Sequence, residues 1–136
     1  MAEVNLTEAF GRYKTKAAPR VRSAKKDDGT LVLSCWYARF QRIDANTLRY
    51  EEDLTNETGS AANLLRTHIA EALAQEIDVR LIVAITQPHY RMVEGLQTQR
   101  PSRTSFHARK DLLGRVTAFD GQRFVIDFRK DPPDAP

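Results

Sequence analysis

Cations set among aromatic rings are the residues of this 136-residue chain whose types and spacing could do chemistry. Arg20 and Arg22 flank Val21, so in an extended segment both guanidiniums fall on one face, and a hairpin through the Asp27, Asp28, Gly29 turn brings that face to Trp36. An indole stacks on an unpaired base while neighbouring guanidiniums hold phosphates, and each stacked base contributes about 1–3 kcal/mol. The competing arrangement buries Trp36 beneath a helix and leaves the arginines at a sheet margin. A second cluster is the run RPSRTSFHARK at residues 100–110. Arg100, Arg103, Arg109 and Lys110 supply charge, Ser102, Thr104 and Ser105 supply donors, and Phe106 and His107 supply rings, the mixture that follows a phosphate backbone. The same composition suits a solvated connection or a surface that docks an acidic protein.

Other chemistries find less support. The acids Glu51, Glu52, Asp53 and Glu57 would need to converge with a histidine to make an active site. No Glu-x-Lys follows them, as a restriction-type nuclease would require. The six glycines never fall at dinucleotide-binding or P-loop spacing, and the aromatics of residues 124–128 are one position out of register for an RNA-recognition motif. Cys35, His68, His89 and His107 show no metal-ligand spacing. No catalytic residue, metal or cofactor is expected. His68 reads as a satisfied core histidine and Cys35 as a small buried hydrophobe.

The elements that must position these groups follow from periodicity. Residues 30–42 (TLVLSCWYARFQR) are apolar on both alternating faces, with Leu31, Leu33, Cys35 and Tyr37 on one and Val32, Trp36, Ala38 and Phe40 on the other, which predicts a central strand covered on both sides. Its partner is residues 20–24. With Gly29 left-handed in a three-residue loop, Lys26 faces Thr30, Ala24 faces Val32, Arg22 faces Ser34 and Arg20 faces Trp36. A short strand at 47–50 and an acidic loop lead to Ser60, a good N-cap for a helix over 61–76 with Leu64, Leu65, His68, Ile69, Ala72 and Leu73 in one stripe and Arg66 turned outward. Residues 78–86 form a second buried strand that Pro88 stops. Residues 87–110 read as a long surface loop, of a length that is usually functional or disordered. Residues 112–129 form a hairpin with a loop of Phe119, Asp120 and Gly121, pairing Val116 with Phe124, Gly114 with Ile126 and Leu112 with Phe128.

The expected fold is α+β: a mixed, mostly antiparallel sheet of five to six strands, or a small partly closed barrel, packed against one main helix at 61–76. Residues 1–18 form an arm docked through Phe10 and Tyr13 or mobile, 19–129 the single domain, and 130–136 a disordered tail. Hydrophobic residues at 41% and charged ones at 29% are ordinary for a globular chain and argue against wholesale disorder. The net charge of +3 hides an asymmetry: residues 1–43 and 77–136 are basic and 44–76 acidic. No 18-residue apolar run and no charged-then-apolar leader occur, so the default expectation is a cytoplasmic protein without membrane contact.

Two functions suit these features. One is a small non-catalytic nucleic-acid-binding module, for DNA or RNA, using Arg20, Arg22, Trp36, Arg100, Arg103, Arg109 and Lys110. The other is a protein-interaction factor, such as an inhibitor or accessory subunit of a bacterial or mobile-element system, docking through its acidic segment or its basic loop.

Overall fold

The computed structural model describes residues 5–13, 15, 21–93 and 96–131, with side chains outside 87–103. In chain order the elements are α1 (Leu6–Gly11), β1 (Ser23–Lys25), β2 (Leu31–Trp36), a 3-10 turn (Tyr37–Arg39), β3 (Phe40–Asp44), β4 (Thr47–Asp53), α2 (Ser60–Ala74), β5 (Val79–Val93), β6 (Leu96–Phe119) and β7 (Arg123–Lys130). All seven strands join one sheet in the order β1-β2-β5-β6-β7-β4-β3. Only β2 and β5 run parallel. The sheet is therefore mixed and open, with seven strands rather than five or six and no closure into a barrel. The extra strand appears because residues 30–42 are not one strand. The 3-10 turn interrupts them after Trp36, leaves Tyr37 64% exposed, and starts a separate edge strand at Phe40.

The hairpin that opens the sheet obeys its turn chemistry. Asp28 accepts from the Thr30 amide at 2.9 Å, and Gly29 takes φ +90°, a conformation that favours glycine. Ala24 faces Val32, and the Ser34 amide donates to the Arg22 carbonyl at 2.8 Å, the register expected from the sequence. β2 is covered on both faces. Leu31, Leu33 and Cys35 join Leu65, Ile69 and Ala72 of α2 in the main core, together with Val79, Leu81, Val116, Phe124, Ile126 and Phe128. Val32 and Ile82 belong to a smaller core under α1, closed by Ala9, Phe10 and Tyr13. Asn5 caps α1 by accepting from the Glu8 amide at 2.8 Å, and the Tyr13 hydroxyl donates to the Leu81 carbonyl at 2.7 Å. α1 and Tyr13 are thus seated by buried apolar surface and a buried hydrogen bond.

α2 begins at Ser60, with Gly59 rather than Ser60 in the capping position, and ends at Ala74 rather than at 76. Leu64 is exposed, so the buried stripe is narrower than the sequence pattern. Arg66 is not turned away. Its Nη2 donates to the Leu54 and Glu57 carbonyls at 2.7 Å each, fastening the β4 to α2 loop onto the helix.

The last three strands depart most from expectation. Residues 87–110 are not a loop: β5 continues through Pro88 to Val93, and β6 pairs with it from Leu96 onward. Pro88 is tolerated because the register shifts between Gln87 and His89, and proline's missing N–H is harmless at such an irregularity. A larger irregularity sets residues 110–113 of β6 against Arg80 alone, bending β6 so that one half pairs with β5 and the other with β7. The final hairpin pairs Val116 with Ile126 and Gly114 with Phe128, two residues away from the expected register. Asp120 accepts from the amides of Gln122 and Arg123, making a longer turn, and a register shift between Val116 and Ala118 absorbs the difference. A slip of two preserves the faces, so the same apolar residues still point inward. Residues 132–136 of the expected disordered tail lie outside the described residues, and Lys130 ends β7.

Candidate nucleic-acid interface

Arg22, of the first expected cluster, is held in a side-chain lock. Arg22 donates through both terminal nitrogens to the two oxygens of Glu52, at 2.7 and 2.8 Å, and to the Ser34 carbonyl at 2.9 Å. The Tyr50 hydroxyl donates to the same carboxylate and accepts from the Trp36 amide at 3.1 Å. These bonds tie the residue just before β1 and the end of β2 to β4, next to the opposite edge of the sheet. The Arg22 side chain is 21% exposed and that of Glu52 3%. Burial alone would raise the Glu52 carboxyl, but the hydrogen bonds and charge of Arg22 and the Tyr50 hydroxyl outweigh it and hold Glu52 below the ordinary carboxylate range. Burial would likewise lower Arg22, and Glu52 more than reverses that. Burial pushes the Tyr50 hydroxyl up, with the Cys35 and Glu52 charges adding to it. The Arg22 guanidinium lies 5.8 Å from the centre of the Trp36 ring, which packs partly buried against the main core. Arg22 is committed to Glu52 and Trp36 lies against it. Arg20 lies outside the described residues.

A different set of cations is free of ion pairs among the described residues. A cleft of about 590 Å³ is walled by Arg42 of β3, Asn46 of the β3 to β4 turn, Arg109 and Asp111 of β6, and Arg129 and Lys130 of β7. Arg109 is held by Asp111 through two 2.9 Å bonds. Arg42 touches only the carbonyls of Asp44 and Ala45, at 3.4 Å, and the Nε of Arg129 donates to Thr47 at 3.2 Å. Among the described residues, Arg42, Arg129 and Lys130 form no ion pair. Asp44, on the adjoining turn, has its carboxyl lowered chiefly by the Asn46 amide and slightly by the charge of Arg129. The neighbouring cleft of about 470 Å³ shares Arg129 and Lys130, but its other charges are spent: Arg115 pairs with Asp78 at 2.6 Å and Asp127 with Arg49 at 2.8 Å.

Arg100, Arg103, Arg109 and Lys110 all lie on the single strand β6, with Arg103 facing Gln87 and Arg100 facing His89 across the ladder. Lys110 is exposed, and its carbonyl accepts from Arg80 at 3.5 Å. The structure thus brings Arg109 to the cleft, strings Arg100, Arg103 and Lys110 along the same strand, and sets Arg22 and Trp36 in the lock. Arg42, Arg129 and Lys130 escaped the sequence reading because they meet from strands far apart in the chain. The one local signal was the basic end of the last strand, which the expected tail obscured.

Several of the remaining candidates are held by structural partners. Glu51 pairs with Arg123 at 3.1 Å, Glu52 with Arg22, and Asp53 accepts from the Thr55 amide at 2.8 Å. His68 contacts the Ser23 hydroxyl at 2.7 Å, and its pKa is lowered by burial. Cys35 is buried, and burial pushes its thiol well up. Among the described residues, no three His, Cys, Asp or Glu side chains are grouped to hold a metal ion, and no helix is long and apolar enough to cross a membrane. Compared with protein-family models, curated proteins and solved structures, the chain matches none.

Proposed function

We propose that this protein is a non-catalytic nucleic-acid-binding module whose contacts run along β6 and into the cleft between the ends of β3 and β7 and the middle of β6. The observation that carries this reading is the cleft itself, where Arg42, Arg129 and Lys130 converge with no ion pair among the described residues, Asp111 being held by Arg109, beside a strand that also bears Arg100, Arg103 and Lys110. Cations already matched to carboxylates contribute little further attraction for phosphate, whereas unmatched ones release counterions when they meet it. Arg22 and Trp36 serve the fold in this reading. Of the acidic segment, Glu51 and Glu52 are neutralised from within, which leaves Asp53 and Glu57 as its exposed charges.

The test compares two triple variants by fluorescence anisotropy with a labelled oligonucleotide at about 50 mM salt. Arg42→Gln, Arg129→Gln and Lys130→Gln together remove the unmatched cations and should weaken binding by about tenfold or more. Arg49→Gln, Arg115→Gln and Arg123→Gln together remove the same formal charge from matched pairs and should weaken it far less. Equal effects of the two sets, or no binding by the native chain, would overturn the reading.

A further inference from the structure

Resting on that reading, we infer that the nucleic acid is B-form duplex DNA, entered through its major groove by the two-stranded ribbon formed by residues 85–93 and 96–105. β2 accompanies β5 only as far as Ala84, and β7 accompanies β6 only from Leu112. Beyond these points β5 and β6 pair with each other and with no third strand among the described residues. Nine residues at roughly 3.3 Å each make a ribbon about 30 Å long, with its two strands about 4.8 Å apart. A ribbon of that width enters the B-form major groove, about 12 Å wide, whereas the deep, narrow major groove of A-form RNA excludes it.

The residue types agree with that destination. Across the ladder Gln87 stands opposite Arg103, His89 opposite Arg100, Tyr90 opposite Gln99 and Arg91 opposite Thr98. Arginine and glutamine are the side chains that address guanine and adenine edges, and the alternating apolar face of a core strand is missing. A single-strand platform would instead need a row of stacking rings. His89 and Tyr90, adjacent on one arm, are the only rings of the two arms below Phe106, and the other arm carries none. Pro88 and Pro101 also argue against a third strand as the occupant, because proline along a free edge blocks further pairing. β6 then leads from the ribbon to Arg109, in the wall of the cleft that also holds Arg42, Arg129 and Lys130.

The test uses the full chain with three labelled probes: a DNA duplex of about 24 base pairs, the RNA duplex of the same sequence, and the DNA single strand. The DNA duplex should bind roughly tenfold tighter than either of the others. Methylating guanine N7, which lies in the major groove, should weaken it several-fold, and a minor-groove drug should leave it nearly unchanged. A second variant joins Thr86 to Thr104 through an Asn-Gly turn in place of residues 87–103. If it retains the native melting temperature, it should lose the preference among probes while keeping weak, salt-sensitive binding through the cleft. Should the variant not fold, the N7-methylation result on the native chain decides alone. Equal affinity for all three probes, preference for the single strand or RNA duplex, or indifference to N7 methylation overturns the inference and leaves the cation reading standing. Failure to bind any probe overturns both.

Discussion

Replacing Glu52 by alanine would strip the Arg22 guanidinium of its counter-ion inside the lock. Glu52 is almost fully buried and Arg22 only one-fifth exposed, so little water can replace the lost carboxylate. Breaking such a pair from one side costs about 3–5 kcal/mol, and the partial exposure of Arg22 places the value near about 3. Unfolding entropy of roughly 2.1 cal/mol/K per residue makes each kcal/mol worth about 3.5 °C here, so the melting temperature should fall by about 10 °C. The pH dependence has a definite sign. Glu52 titrates lower in the folded chain than in the unfolded one, so its contribution is present above the unfolded value, near about pH 4.3, and is lost as pH falls through the folded value. The gap between native and Glu52→Ala stability, measured by urea unfolding, should be largest at neutral pH and shrink below about pH 4.3. A double variant, Arg22→Met with Glu52→Leu, removes both charges and should recover most of the loss. A Glu52→Ala cost below about 1 kcal/mol, or a double variant no better than either single one, would refute the lock.

Further outcomes follow from the same geometry. A Cβ on Gly114 would lie 2.5 Å from the Phe128 ring, so Gly114→Ala should cost about 1–3 kcal/mol in thermal unfolding, and a neutral result would deny the close approach of β6 and β7. Tyr13→Phe leaves the Leu81 carbonyl without its buried donor and should cost about 1–2 kcal/mol, testing whether α1 is seated as described. Burial also pushes the Tyr13 hydroxyl up to about 12, so its ionisation should be absent from an absorbance titration at pH 10. Cys35 should resist thiol reagents in native buffer and react only on unfolding, and rapid modification of the native chain would contradict its position in the core.

Local turn chemistry made the first hairpin legible: the Asp28 side chain and the positive φ of Gly29 set a register that pairs Ala24 with Val32. The helix could be read from Leu65, Ile69 and Ala72, which do face the core. The last hairpin slipped by two because Asp120 caps a longer turn and a register shift hides nearby, and alternation cannot distinguish registers that keep the same faces. Residues 87–110 resembled a loop because strands flanked only by each other need no apolar face, and polarity without periodicity is also what a loop shows. The pairing of Arg22 with Glu52 spans thirty positions and left no local trace. The cleft was illegible for the same reason, since Arg42 and Arg129 meet only after the sheet forms.

The measurement that bears most directly on the central claim is the affinity of the native chain for a labelled DNA duplex across a salt titration. Three unmatched cations meeting three phosphates predict a slope of log K against log salt of about −2.7, steeper if the ribbon arginines join them. Binding that ignores salt, or no binding at about 25 mM, would contradict the assignment of these cations to nucleic acid.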